Sequence, residues 1–250
     1  MYTLVYDFDG TFKNPTGISN EAIEILKNFM KNKDNRILIV SESPIDDLIE
    51  YVKKIPVRID LFSISSSAFV YNEKLMYEVV SKKFIENVNK KFKDDIYTAY
   101  GGGINTNYIY SYQKRLEAIY PKKYDTTITD LSYYIVAIKT EKKDELINYI
   151  VENNLSYDSL GTDPNRSLIR IKHHHFNKKE AVLRYKKESP NNILIGFSDS
   201  SYDLPLLDIC NVKVAMKNSS WSLKAKADYI TEEDENFDGA ILILNDICKM

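Results

Sequence analysis

Four short, nearly unbroken runs of β-branched and large apolar residues constrain this fold more than any other feature of the chain. They are Leu4-Val5-Tyr6, Ile37-Leu38-Ile39-Val40, Ile59-Asp60-Leu61-Phe62-Ser63-Ile64 and Ile193-Leu194-Ile195-Gly196-Phe197. Runs of this kind, without strict apolar/polar alternation, suit strands covered on both faces. Helical patterns separate the first three. Ser19 offers an N-cap, Glu21 falls in the first turn, and Ala22, Ile23, Leu26, Phe29 and Met30 form an apolar stripe. Ser43-Pro44-Ile45-Asp46 then supplies a capping hydroxyl, a proline at the first helical position and an acid in the first turn, ahead of Leu48, Ile49 and Val52. Strand, helix, strand, helix, strand predicts a parallel sheet with right-handed crossovers. Ligands of such sheets bind at the carboxyl ends of the strands.

Those ends are polar and acidic. The first run stops at Asp7-Phe8-Asp9-Gly10-Thr11, the second at Ser41-Glu42-Ser43, and the fourth at Ser198-Asp199-Ser200-Ser201-Tyr202-Asp203, which leads into Leu204-Pro205-Leu206-Leu207. Side chains at i and i+2 of a strand share a face, so extended backbone through Phe8 would put Asp7 and Asp9 on one side. Two such carboxylates repel, and a divalent cation between them relieves the repulsion. Asn177 to Leu183 opens a helix before the fourth run; Val212 to Met216 and Tyr229-Ile230-Thr231 read as strands, Leu223 to Asp228 and Gly239 to Ile247 as helices.

Between the third and fourth runs the texture changes. Lys82 to Lys93 and Glu141 to Asn153 look helical, Ile128 to Ile138 and Ser167 to Lys172 strand-like, and Tyr97 to Tyr112, with Gly101-Gly102-Gly103, reads poorly as regular structure. We expect a discontinuous core of residues 1–79 and 172–250, with an α+β domain inserted at 80–171. At 250 residues the chain suits one large domain or two modest ones. Its 34 basic and 36 acidic residues give a formal charge of −2, with no long-range attraction for nucleic acid or an anionic membrane. Asp7 and Asp9 interrupt the first apolar segment, so no secretory signal is expected, and no run reaches the length of a membrane span. Two cysteines, Cys210 and Cys248, provide neither a disulfide framework nor a thiolate zinc site, which agrees with a reducing cytoplasm. Consecutive residues of His173-His174-His175 alternate faces on a strand and read as a solvated strand end. The three glycines lack the Gly-Lys-Ser/Thr of a nucleotide loop and read as a flexible turn.

The chain resembles the haloacid-dehalogenase-like (HAD) hydrolases, and within them the Cof-type phosphatases with a cap inserted after the third core strand. Four motifs carry the likeness across essentially the whole length: Asp7-Phe8-Asp9-Gly10-Thr11; Ser41 after a hydrophobic strand; Lys178 in Lys178-Lys179-Glu180-Ala181, with Lys179 as the alternative partner; and Ser198-Asp199-Ser200-Ser201-Tyr202-Asp203-Leu204-Pro205-Leu206. Departures are equally specific. Tyr202 stands where the family has an asparagine supporting the metal shell, Ser198 replaces a glycine, Ser41-Glu42-Ser43 replaces Thr-Gly-Arg, and Ser66-Ser67 replaces Asn-Gly. The resemblance implies a Rossmann-like parallel-sheet core with an α+β cap, and Mg2+-dependent hydrolysis of small phosphomonoesters such as sugar phosphates. It implies Asp7 as nucleophile, Asp9 as proton carrier, and Ser41, Thr11 and Lys178 on the phosphate. Asp7, the carbonyl of Asp9, and Asp199 would hold the metal, and Asp203 would orient Lys178 or a metal-bound water. A phosphomutase, or a weakly catalytic protein that binds a phosphorylated ligand, are the alternatives.

Overall fold

The computed structural model describes residues 1–103, 106–111, 131–174 and 176–248, with the side chains of 103 and 106–111 left aside. The chain forms two compact units. The first comprises Met1–Ile64, Phe69–Met76 and Asn177–Met250, the second Ser65–Ala68 and Tyr77–Phe176.

The apolar runs become the centre of the first unit's sheet. Strands β1 (Tyr2–Tyr6), β2 (Arg36–Ser41), β3 (Asp60–Ser63), β4 (Ala68–Tyr71) and β5 (Lys74–Tyr77) extend to one side; three strands from the end of the chain, β11 (Ile193–Ser198), β12 (Val212–Ala215) and β13 (Tyr229–Ile230), extend to the other. The order is β13-β12-β11-β1-β2-β3-β4-β5. β1 lies parallel to both β11 and β2, with Val5 opposite Gly196 and Leu38. Leu4, Val5 and Tyr6 are fully buried, and the Tyr6 ring stacks on Phe197 at 4.4 Å. The expected α/β fold with a parallel sheet is therefore present, ordered so that the end of β1 has the end of β11 beside it.

Helix α1 (Asn20–Met30) starts at Ser19, whose hydroxyl accepts from the Ala22 amide at 3.2 Å. Its inward face is Ala22, Ile25, Leu26 and Phe29. Ile25 takes the place expected for Ile23, because the 3.6-residue period that buries Ala22 and Phe29 turns Ile23 partly outward. Helix α2 (Ile45–Val52) begins one residue later than predicted: Pro44 occupies the cap position, and the Ser43 hydroxyl caps nothing. That hydroxyl is engaged elsewhere, as described below.

The second unit is an antiparallel sheet, in the order β7-β6-β8-β10-β9, of strands β6 (Ile96–Gly103), β7 (Thr106–Ser111), β8 (Tyr133–Lys139), β9 (Leu155–Thr162) and β10 (Arg166–His173). Helices α3 (Lys82–Lys91) and α4 (Lys143–Glu152) share a core with it, in which Phe84, Ile85, Val88, Leu146 and Ile150 meet Val136, Ile138, Ile169 and Ile171. Gly101-Gly102-Gly103 is strand here, contrary to the turn expected of it. A Cβ on Gly102 would lie 2.4 Å from the Tyr133 hydroxyl, so the missing side chain makes room for a ring. Residues 128–130 of the expected strand, and His175, lie outside the described residues.

Gly196 does the same for the first unit. A Cβ there would meet Leu207 Cδ2 and Cys210 Sγ, each at 2.7 Å. The short helix Leu204–Leu207 thus packs directly on the β11 backbone. We expect Gly196→Ala to lower stability by about 1–3 kcal/mol through overpacking, seen as a lower urea midpoint at unchanged m-value. An unchanged midpoint would show that the helix shifts freely.

Candidate active site

Parallel pairing of β1 with β11 continues one step past the strands, where the Asp7 amide donates to the Phe197 carbonyl at 3.0 Å. Asp7 and Asp199 therefore leave the sheet side by side. Helix α5 (Lys178–Glu188) is capped by Asn177, whose side chain accepts from the Glu180 amide at 2.9 Å. Its first residue, Lys178, reaches into the same region. The ammonium lies 2.7 Å from Asp7 Oδ1 and 2.5 Å from Asp203 Oδ1. Asp203 ends the single turn Ser201–Asp203 and is 1% exposed; its other oxygen, Oδ2, accepts from the Ser198 hydroxyl at 2.6 Å.

After Asp7 the backbone leaves the extended form. Residues 8–12 wind one wide turn, closed by Phe12 N to Asp7 O (3.3 Å) and Lys13 N to Phe8 O (2.9 Å), with Gly10 at φ +78°. This left-handed residue faces Asp199: a Cβ at Gly10 would lie 2.5 Å from Asp199 Oδ2. The Thr11 hydroxyl donates to Asp199 Oδ1 at 3.3 Å, and Asn218 Nδ2 to the Gly10 carbonyl at 3.2 Å.

Asp9 lies within the same turn and lines the same cleft as Asp7. Its side chain, 58% exposed, accepts from Ser43 Oγ at 2.7 Å and Lys13 Nζ at 3.0 Å. The condition set for a shared strand face, extended backbone through Phe8, is not met, since Phe8 begins the turn, although Asp9 itself is extended at φ −74°, ψ 128°. Ser41 is buried at the end of β2 and its hydroxyl accepts from the Ser43 amide at 2.9 Å. Asp7, Asp9, Lys178, Asp199, Asp203 and Tyr202 all line one cleft of about 600 Å³, with Glu42, Lys179 and Pro205 among the other walls. Tyr202 is 92% exposed at this cleft. Sequence reasoning missed two contacts here, Ser43 to Asp9 and Ser198 to Asp203. Ser43 carried a competing signal as a helix cap; Ser198 stood out only by its place beside Asp199.

The electrostatics are unbalanced, with three carboxylates around one ammonium. Burial pushes the Asp7 carboxyl up to about 7, against the pull of Lys178, while Asp203 adds to the rise. Burial also raises Asp199, opposed by its own backbone amide and the Thr11 hydroxyl. Burial alone would lower Lys178; Asp7 and Asp203 more than offset this, raising it above its ordinary value. Lys178 thus stays an ammonium, and Asp7 is the group whose charge is costly.

A family model described as haloacid dehalogenase-like hydrolase matches residues 4–244. The chain belongs to that family. No curated protein matches the sequence significantly. Solved structures resembling this HAD-like hydrolase include TM0651 from Thermotoga maritima, at 16% identity and a TM-score of 0.70 over 98% of this chain and 97% of that one. A hypothetical protein from Geobacillus kaustophilus aligns at 14% identity and TM-score 0.71, covering 100% and 99%. BT1666 from Bacteroides thetaiotaomicron, described among phosphatases of the HAD enzyme superfamily, aligns at 14% identity and TM-score 0.67, covering 100% and 96%. At these identities the likeness shows the fold. Among the described residues, no helix is long and apolar enough to cross a membrane.

The raised Asp7 carboxyl has a measurable sign. Its folded-state value lies above the ordinary 3.8, so the folded protein binds more protons than the unfolded chain between about pH 4 and 7. That contribution is complete below pH 4 and is lost as pH rises through 7. In EDTA, the melting temperature of wild type should fall relative to Asp7→Asn across this window, by on the order of 5 °C. Parallel profiles would show that Lys178 holds Asp7 ionised throughout.

Proposed function

We propose that this chain is a magnesium-dependent phosphatase of small phosphorylated metabolites, with sugar phosphates the first class to test. Residues 1–79 and 172–250 form the catalytic core, residues 80–171 act as its cap, and the setting is cytoplasmic. One observation carries the reading: a buried strand-end carboxylate, Asp7, held 2.7 Å from a fixed ammonium on the wall of an acidic cleft. An anionic nucleophile meets a phosphate dianion only if positive charge is already in place.

Residues of the first unit fit a hard cation. Among the described residues no three His, Cys, Asp or Glu side chains are placed to hold a metal. A cation here would take the carboxylates of Asp7 and Asp199 and the Asp9 carbonyl, and complete its shell with water. Mg2+ accepts such sites, since it keeps several waters and prefers oxygen. The absent side chain at Gly10 leaves the Asp199 carboxylate room beside that backbone. Bound there, the ion would supply positive charge against the phosphoryl oxygens.

An Asp7 oxygen attacks phosphorus, the bond to the leaving oxygen breaks, and Asp9 gives that oxygen a proton. Asp9 then takes a proton from a water that attacks phosphorus, which releases phosphate and restores the Asp7 carboxylate. Lys178 neutralises charge on Asp7 and the phosphoryl group. Ser41 and Thr11 take phosphoryl oxygens, with the Thr11 hydroxyl also steadying Asp199. Asp203 holds Lys178, and Tyr202 borders the cleft.

Purified protein assayed on p-nitrophenyl phosphate and a panel of sugar phosphates should turn over only with Mg2+. Asp7→Asn should fall to background, and Lys178→Met should lose about 100-fold to 1000-fold in rate. Equal turnover by Asp7→Asn would sink the proposal, and turnover that needs a bisphosphate activator would identify a mutase.

A further inference from the structure

Asp203 is the least exposed acid of the cluster, and each of its carboxylate oxygens faces one donor: Lys178 at Oδ1 (2.5 Å) and Ser198 at Oδ2 (2.6 Å). Ser198 is the last residue of β11 and is itself fully buried. Its carbonyl accepts from the Met216 amide at 3.0 Å and the Ser219 hydroxyl at 3.2 Å, so sheet and loop fix its backbone. Its own hydroxyl oxygen accepts from the Ser200 amide at 3.0 Å. The hydroxyl proton then has two acceptors, Asp203 Oδ2 at 2.6 Å and the Ser200 carbonyl at 3.3 Å. The nearer acceptor is also the charged one, and it takes the proton.

We infer that Ser198 is a positioning residue for Lys178, acting through Asp203; the inference rests on the phosphatase reading above. A lysine side chain is long and flexible, and where its ammonium rests is decided by the carboxylates it meets. Here one of those carboxylates sits on a short turn and is located by a hydroxyl that the sheet holds in place. Without the hydroxyl, Asp203 Oδ2 is left in the interior with no donor. A buried acceptor in that state turns toward another partner, and Lys178 follows it away from Asp7. The competing explanation is that the hydroxyl only closes the 198–200 turn through the Ser200 amide. A turn-closing role makes no demand on Asp203, so the two can be separated.

The experiment is a double-mutant cycle of Ser198→Ala and Asp203→Asn, with Ser198→Gly as a second deletion of the hydroxyl. Affinity for inorganic phosphate is measured by calorimetry with Mg2+ present, beside the melting temperature of each variant. Ser198→Ala should weaken phosphate binding about 10-fold in the wild-type background, and by less than about 2-fold once Asp203 is already Asn. Equal losses in both backgrounds would overturn the inference, as would a lower melting temperature with phosphate affinity intact. Wild-type protein that neither binds phosphate nor turns over phosphomonoesters removes the phosphatase reading and this inference together. Wild-type binding with an additive cycle removes only the role of Ser198.

Discussion

The contact between the Lys178 ammonium and the carboxylates of Asp7 and Asp203 is the constraint from which the rest of the site follows. It joins residues 171 positions apart in the chain, brought together in a fold that pairs β1 with β11, the strand that follows α5. Local structure serves the same end. Asn177 caps α5 so that the helix begins at Lys178, and Gly196 lets the helix after Asp203 lie directly on β11. The apolar runs that form β1 and β11 are stabilised by burial worth about 25 cal/mol per Å², and that stability offsets the desolvation of the charges at their ends.

Those charges do not cancel. Asp7 and Asp203 meet one ammonium and Asp199 lines the same cleft, which leaves a local excess of two negative charges if all three carboxylates are ionised. Burial is what raises the Asp7 carboxyl to about 7, against the pull of Lys178, and Asp203 adds to the rise. The fold itself gains nothing from such an arrangement, because burying charge beyond what is paired lowers stability. Added positive charge would relieve it, and the cation site proposed above rests on this.

Much of this was legible in the sequence. The strand runs, their order and the polar ends carrying Asp7, Ser41 and Asp199 follow from hydrophobic pattern, since fully buried strands need continuous apolar residues. Lys178 was legible only through resemblance, because a lysine opening a helix is unremarkable in isolation. The setting of Asp9, beside Ser43 and Lys13, was not legible. It depends on where extended backbone ends, and the wide turn over residues 8–12 with its left-handed Gly10 is fixed by contacts with Asp199 and Asn218, 188 and 208 positions away. Ser43 misled for a related reason. Ser-Pro before a helix is a good capping signal, but Pro44 takes the cap position, and the Ser43 hydroxyl donates to the Asp9 carboxylate at 2.7 Å. The three glycines of β6 misled because glycine signals a turn by default, while here it makes space under Tyr133.

Tyr202 and Ser198 show how a departure from family pattern can be weighed by direction of the side chain rather than by size. By size, tyrosine for asparagine is the larger change. Yet the Tyr202 ring is 92% exposed, and its amide, which any residue has, makes the turn contact to Ser200. Serine for glycine adds only one carbon and one oxygen, but places the hydroxyl fully inside the fold, where it donates a short hydrogen bond to Asp203 Oδ2. A polar atom gained in the interior constrains its neighbours, whereas a ring gained at the rim alters what the cleft can touch. The two residues therefore bear on different places: Ser198 on the buried carboxylate beside Lys178, and Tyr202 on the exposed rim of the cleft.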